Sequence, residues 1–402
     1  AVAAAAKRLR EAGRKAVLFG RAYAEHPEAP SLLQAVENLA WVCGALTTER
    51  SSVMYLGPQS DSQGALDMGL TPDCLPGYVP LGDAAARAPY ERAWGAPLDL
   101  EQGGQGMSAP EILAAAADGR IKALWIVSDH WLRSAPDRAL AERALERAEL
   151  VIVNELFLTE TAKRAHVVFP ASAFAEKEGV VVNCERRLQK SVRALAWRKG
   201  CKPDWDIFQS VAQAMGARWS YRGAEDIFRE IAKLVPGYGG LSWATLLPLG
   251  PQWAFTGTPA VAGSLTGSPV ASRTAGDGTS AKGPAANGDG LWLLSGGTLF
   301  LQGSLSYRGA LLPKLAKGAR AFLHPDEAKR LGMADGEMLE LTGPAGSIRV
   351  PGAIDADVPA GSVFVPYAYA EVELNRLGAP TGAGLRVRAS RVAAPESVGA
   401  QG

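Results

Sequence analysis

Apolar positions along this chain fall into two regimes, and the first combines near-continuous apolar runs with helical periods. KAVLFG (15–20) ends at Gly20, a helical pattern runs from Ser31 to Cys43, and SVMYLG (52–57) reads as a second strand. Between Pro58 and Gly106 the density of Gly and Pro predicts ordered loop rather than regular structure. Near Pro110 the alternation sharpens. EILAAAADG is helical, ALWIVS (123–128) a strand, DRALAERALERA (137–148) a helix, LVIVNEL (150–156) a strand, TETAKRA a helical turn and HVVFPA (166–171) a strand. Apolar strands separated by helices predict a parallel sheet covered on both faces. Ligands of such sheets sit beyond the carboxyl ends of the strands. Those ends are Ser128-Asp129-His130, Asn154-Glu155 and the loop from Pro170 to Gln189.

Two more amphipathic helices follow. PDWDIFQSVAQAMG offers Asp204 as N-cap, Phe208, Val211, Ala212 and Met215 as one apolar face, and Gly216 as stop. AEDIFREIAKLVPG repeats the pattern with Ile227, Phe228, Ile231 and Leu234. Residues 255–290 are rich in Gly, Ser, Thr, Ala and Pro and almost uncharged, so they cannot bury enough surface to fold and predict a flexible linker. After it the period changes to two. LWLLSG, EMLELTG, SIRVPGAI, SVFVPYAY and LRVRASRV are short strands separated by Gly and Pro, interrupted by one helix, HPDEAKRLG, with Pro325 in its first turn and Gly332 at its end. The expected organisation is an α/β region over 1–109, a second parallel-sheet region over 110–250, a linker over 251–290 and a small β-barrel over 291–395.

Composition narrows the function classes. Lys plus Arg number 42 against 41 for Asp plus Glu, so no overall basic excess argues for nucleic acid or anionic lipid. No run approaches the roughly 18 apolar residues of a membrane span. Cys43, Cys74, Cys184 and Cys201 are scattered without a CxxC, the pattern of reduced cytosolic thiols rather than of a metal or iron–sulfur site. The chain opens AVAAAAKRLREAG, without Met and inside a helical pattern, with no basic region leading into an apolar stretch and a cleavage site. It is expected to be the C-terminal part of a longer polypeptide.

Four stretches together resemble the molybdopterin oxidoreductase superfamily, and in the family's order: QGALDMGLTPDCLPGY (63–78), ADGRIKALWIVSDHWLRSAPD (117–137), FPASAFAEKEGVVVNCERRLQ (169–189) and HPDEAKRLGMADGEMLELTGPAGSIRVPGAI (324–354). The resemblance covers nearly the whole chain apart from the linker. It implies formate dehydrogenase/DMSO reductase-like parallel-sheet domains followed by a C-terminal barrel. Two branches compete: the large peripheral-arm subunit of NADH–quinone oxidoreductase (the G-type subunit of respiratory complex I), and the molybdenum or tungsten catalytic alpha subunit of formate dehydrogenase. In both, the iron–sulfur ligands lie N-terminal to the region seen here.

Three places bear on that choice. The formate-oxidising branch carries R-G-Q-N-N-V-Q-G-A-x-D-M-G, its Arg placed to hold the formate carboxylate. Here GPQSDSQGALDMG keeps Gln59, Gln63, Gly64, Asp67, Met68 and Gly69 but has Gly57 for the Arg and Pro58 for the Gly. Loss of a guanidinium fork at a buried anion site costs on the order of 2–5 kcal/mol. After ALWIV, cofactor-binding members show a G-x-N-P-type turn, whereas this chain has Ser128 to Leu132, in which Trp131 and Leu132 would crowd a ligand and Asp129 would face its phosphates. His130 at that strand end fits a structural role better than a catalytic one. The barrel opens SGGTLFLQGSLSYRGALL, with Gly296, Gly297 and Thr298 but no His; Tyr367, Tyr369 and Asn375 align with the family's closure.

The resemblance therefore places a vestigial pterin pocket at Gln59, Gln63, Ser128, Glu176, Gly179, Asn183 and Arg186, with no catalytic residue and no metal ligand in this portion. Without a pterin, Gly179 would set a backbone turn, and Glu176, Asn183 and Arg186 would satisfy a buried loop. It further implies iron–sulfur clusters in the missing N-terminal part and hydrophilic-arm subunits as partners. The expected place is cytoplasmic, on the inner membrane's periphery through the complex, with no direct membrane insertion. The alternative cofactor is a bis-molybdopterin guanine dinucleotide with Mo or W.

Overall fold

A computed structural model describes residues 2–20, 29–46, 51–98, 106–247, 249–253, 290–316, 318–367, 369, 371–379 and 384–392. The linker expected over 251–290 falls almost entirely outside the described residues.

The chain begins in a helix, Val2–Glu11, with no buried residue. Strand β1 (Ala16–Gly20) pairs in parallel with β2 (Ser52–Leu56), and the helix Ala29–Val42 lies between them in sequence. The stretch expected to be irregular is more regular than its Gly and Pro suggested. It holds the helices Ser62–Asp67 and Ala84–Trp94 and a small hairpin, β3 (Cys74–Leu75) with β4 (Val79–Pro80). Asp83 explains the second helix: its carboxylate accepts the Ala85 and Ala86 N–H groups, and Gly95 closes the far end in the left-handed conformation.

The central unit is a three-stranded parallel sheet of β5 (Ala123–Val127), β6 (Leu150–Glu155) and β7 (Val167–Pro170), in that order. Helices Ala109–Ala117 and Arg138–Arg147 cover one face. Their small residues Ala116, Ala141 and Ala144 let the backbones approach Leu124, Ile126, Val151 and Val153, all of them buried. Burying each of these aliphatic side chains contributes about 1.5–3 kcal/mol. The expectation that both faces are covered is met only in part. Trp125, Val127 and Val167 stay 37–40% exposed on the other face, where Trp125 packs on Phe169 and on Phe208 of the helix Asp204–Ala214, at ring-centroid distances of 6.4 and 5.0 Å.

Beyond the sheet, β8 (Gly179–Val182) and β9 (Leu188–Ser191) form an antiparallel hairpin. Together with the helix Ala224–Leu234 they enclose Val182, Leu188, Phe228, Tyr238, Leu246 and Trp253. Pro203, not Asp204, is the N-cap of the helix Asp204–Ala214; Asp204 stands one residue inside and turns its carboxylate to Lys177 Nζ at 2.7 Å.

The turn expected at Gly179 is also corrected. Gly179 opens β8 opposite Ser191 in extended backbone, with nothing within 4 Å of where a Cβ would be. The left-handed residue of this loop is Arg186, at φ 60°. Gly179→Val should therefore shift stability by no more than about 0.5 kcal/mol. A melting curve checks this, and a large drop would restore the turn.

The C-terminal unit is a closed barrel of six strands: β10 (Leu291–Leu294), β11 (Ala321–Leu323), β12 (Met338–Thr342), β13 (Ser347–Ile354), β14 (Ser362–Phe364) and β15 (Arg386–Arg391), in the spatial order β10-β14-β11-β13-β12-β15. Closure leaves no free sheet edge. Leu301, Leu323, Leu339, Leu341, Val350 and Val363 fill its interior. The helix Pro325–Leu331 starts on Pro325 and ends at Gly332, φ 62°, as its sequence predicts.

The barrel is docked on the central unit by polar contacts. Asn375 Nδ2 donates to the carbonyls of Leu132 and Ala135, each at 3.0 Å. Arg133 donates to the carbonyls of Tyr367, at 2.9 Å, and Tyr369. Arg138 joins Glu142, Glu160 and the barrel's Glu373 at 3.0, 3.1 and 2.5 Å.

Candidate functional site

The helix Ser62–Asp67 places Gln63 and Asp67 one turn apart on one face. Asp67 is 1% exposed. Its Oδ1 accepts from Gln63 Nε2 at 2.8 Å and from the Tyr78 hydroxyl at 2.7 Å, and its Oδ2 accepts from the Tyr238 hydroxyl at 2.9 Å. Gln63 Nε2 also reaches the Tyr78 oxygen at 2.9 Å. Tyr78 adopts a left-handed backbone, φ 61°, directly after Gly77 at φ 76°. Burial and then the Asp67 carboxylate push both phenols well above their ordinary range. Both rings therefore stay protonated and donate.

Trp253 lies 6.5 Å from the Tyr78 ring and 6.0 Å from the Tyr238 ring, with the Arg186 guanidinium carbon 5.7 Å from its own ring centroid. Asp61 joins this neighbourhood to the hairpin by accepting the Val182 N–H at 2.7 Å, and burial raises its pKa. Gln63 and Arg186 thus meet around one buried cluster. Tyr78, Tyr238 and Trp253 complete it, and the sequence pattern did not single them out. For Tyr78 a signal existed, since it follows Pro76-Gly77 in a quoted motif. Tyr238 is 171 residues from Asp67 and carried none.

The other candidate residues are used differently. Asn183 Oδ1 accepts the N–H groups of Glu185 and Arg187, both at 3.0 Å, which closes the hairpin loop. Glu176, 8% exposed, accepts the Ala173 N–H at 2.9 Å. Gln59 is exposed and takes part through its backbone, which bonds the Ser62 hydroxyl. Ser128 stands at the tip of β5 with φ 53°, its N–H donated to the Asn154 carbonyl at 2.9 Å. Asn154 leads through Asp204 to Lys177, by contacts of 3.4 and 2.7 Å.

At the strand tips, Trp131 and Leu132 do not crowd a ligand as the sequence suggested. Leu132 is fully buried in the core below, and Trp131 packs against it. The N–H groups of 132, 133 and 134 are already bonded, the first to Thr161 Oγ1 at 3.1 Å and the other two to the His130 carbonyl. His130 Nε2 is buried without a partner among the described residues, and burial lowers the ring's pKa.

Burial pushes the Glu155 carboxyl up, and the Asp129 charge adds to the shift against opposing Leu156 and Phe157 N–H groups. Arg308, from the barrel side, stacks 4.3 Å above Phe157. A carboxyl raised on folding costs stability above its unfolded pKa and none below it. Glu155→Gln is accordingly expected to raise the melting temperature at neutral pH and to leave it unchanged in acid. Scans at the two pH values check this; an equal shift at both would refute the strained carboxylate.

Residues 3–214 match the sequence model described as Molybdopterin oxidoreductase. The chain belongs to the molybdopterin oxidoreductase family. Residues 291–385, most of the barrel unit, match the molydopterin dinucleotide binding domain. A formate dehydrogenase alpha subunit of Methanococcus maripaludis is 29% identical over 387 residues, which cover 94% of this chain and 56% of that protein. A G-type subunit of NADH-quinone oxidoreductase from Rhizobium meliloti is 33% identical over 357 residues, covering 87% of this chain and 39% of that one. Acetylene hydratase from Pelobacter acetylenicus shares the fold, with a TM-score of 0.64 at 17% identity over 91% of this chain and 59% of its own. The chain spans a little over half the length of the formate dehydrogenase alpha subunits it matches.

The fold family implies a pterin dinucleotide, and the strand tips do not fit one. A pyrophosphate needs free N–H donors and cationic side chains. Here the 132–134 amides are committed, and Asp129 and Glu155 put two carboxylates at that edge, with Arg308 opposing them.

Proposed function

We propose that this chain is the C-terminal scaffold portion of the large iron–sulfur subunit of an NADH–quinone oxidoreductase, with a degenerate pterin site and no bond chemistry of its own. The observation that carries this reading is at position 57. A Cβ on Gly57 would lie 2.5 Å from Ser62 Cβ and 2.6 Å from Ser62 Oγ. Ser62 is itself tied to Gln59, its hydroxyl accepting the N–H at 3.1 Å and donating to the carbonyl at 3.0 Å. The Arg that would grip formate therefore cannot be restored without rebuilding the loop.

The NADH-quinone oxidoreductase relative supports the same reading. Electron transfer would run through iron–sulfur clusters held outside this region. The partners are the NADH-oxidising and other hydrophilic-arm subunits, at the cytoplasmic periphery of the membrane. Among the described residues no helix is long and apolar enough to cross a membrane. The test is to isolate the full-length protein with its natural partners and assay NADH-dependent quinone reduction and formate oxidation side by side. The reading predicts the first activity alone; formate oxidation without NADH-dependent reduction would overturn it.

A second reading has one observation in its favour, the match of the barrel unit to a molydopterin dinucleotide binding domain. It makes the chain part of a Mo or W bis-molybdopterin catalytic alpha subunit, acting on a substrate that does not need the missing Arg. That assembly would carry oxidoreductase activity dependent on its own metal.

A further inference from the structure

From Arg186 to Lys202 the sequence carries seven Lys and Arg and no Asp or Glu, in a chain whose net charge is only +1. Four of the seven flank the exposed run 192–200. Arg187 pairs with Glu185 at 3.7 Å and Lys202 with Asp206 at 3.1 Å, while Arg186 and Lys190 lie over Trp253 and Trp243. The other three, Arg193, Arg198 and Lys199, form no ion pair among the described residues and sit in a run, 192–200, in which every residue is exposed.

That run is anchored rather than loose. The N–H groups of Ala194 and Leu195 both donate to the Ala175 carbonyl at 2.9 Å. This brings it beside Phe174, which is 74% exposed. Val192, Leu195 and Trp197 are 58, 59 and 45% exposed in the same run, and the Arg193 guanidinium stacks 5.1 Å from the Trp197 ring. Four large apolar side chains in water beside three cations with no carboxylate partner among the described residues form a surface built to be covered.

We propose that Phe174 and the run 192–200 form a docking surface for a partner protein segment that is both acidic and apolar. Charge complementarity names the acidic part, and the four apolar side chains name the rest. Three cations are fewer than the clusters of about four to eight that mark lipid recognition. Val192 and Leu195 would also contribute little to a nucleic acid, whose bases stack on aromatic rings. The inference stands on exposure and charge alone, so it holds or fails independently of the oxidoreductase assignment.

The test titrates the full chain with a labelled synthetic peptide of alternating Glu and Leu, followed by anisotropy. Lys–Leu and Ser–Leu peptides, anionic vesicles and a single-stranded RNA serve as competitors. The Glu–Leu peptide is expected to bind best, to weaken at high salt and to protect Lys199 from acetylation in the unmodified chain. Arg193→Glu, Arg198→Glu and Lys199→Glu together should weaken it at least about tenfold, and Leu195→Ser with Phe174→Ser should do so without changing the salt dependence. Equal binding of all three peptides, tighter binding of vesicles or RNA, unchanged acetylation of Lys199, or full affinity in a normally melting triple variant would each overturn the proposal.

Discussion

Asp67→Asn is expected to destabilise the region around the helix Ser62–Asp67 by on the order of 3 kcal/mol. The carboxylate takes three donors, two on Oδ1 and one on Oδ2. An amide has a single acceptor oxygen. Whichever way it turns, its NH₂ group faces a buried hydroxyl or the Gln63 amide, and at least one donor in a site 1% exposed loses its partner. Tyr78 and Tyr238 are both held protonated here and both donate to this carboxylate. Urea or thermal unfolding reports the change; a midpoint equal to the parent's would show that the cluster is not holding the region together. Gln63→Ala, by contrast, removes one donor and leaves the carboxylate with two, so its effect should be smaller.

Arg138→Ala should be comparably damaging for a different reason. The guanidinium, only 7% exposed, is shared by Glu142, Glu160 and Glu373. Its removal leaves three carboxylates without their common cation. Breaking a buried pair costs about 3–5 kcal/mol, and the lower end applies because the Glu160 side chain is 52% exposed while Glu142 and Glu373 keep Arg164 and Arg376 as partners. Glu373 belongs to the barrel side, so the loss is expected to loosen the docking as well as the fold. A double-mutant cycle with Glu373→Ala isolates that part. Additive effects of the two substitutions would show that the pair does not couple the barrel to the sheet.

The parallel unit was legible because the residues facing the helices form an unbroken aliphatic set, Leu124 and Ile126 on β5 and Val151 and Val153 on β6. The open side of the same sheet was misjudged in part. Trp125, Val127 and Val167 are as apolar as their buried neighbours, and periodicity cannot separate a covered apolar face from an uncovered one. The barrel was readable from its period of two and from the Pro325 and Gly332 punctuation. Its strand order was not, because the pairing of β10 with β15 joins segments far apart in sequence.

The candidate site divides along the same line. Gln63 and Arg186 belong to one cluster, whereas Glu176 and Asn183 are spent on nearby backbone. Assigning the turn to Gly179 followed the usual preference for glycine at positive φ. The chain instead imposes that conformation on Arg186, whose N–H is held by the Asn183 carbonyl at 2.8 Å while the Asn183 side chain ties down both neighbours. Local hydrogen bonding overrode residue preference there. Tyr238 and Trp253 reach the site only through the tertiary fold.

The central claim of the proposal is that this chain keeps the family's fold without holding a pterin. Elemental analysis of the full-length protein for molybdenum and tungsten, with oxidative release of any pterin as a fluorescent derivative from the same sample, tests it most directly. The account predicts iron without stoichiometric molybdenum, tungsten or pterin; one equivalent of either metal accompanied by released pterin would contradict it.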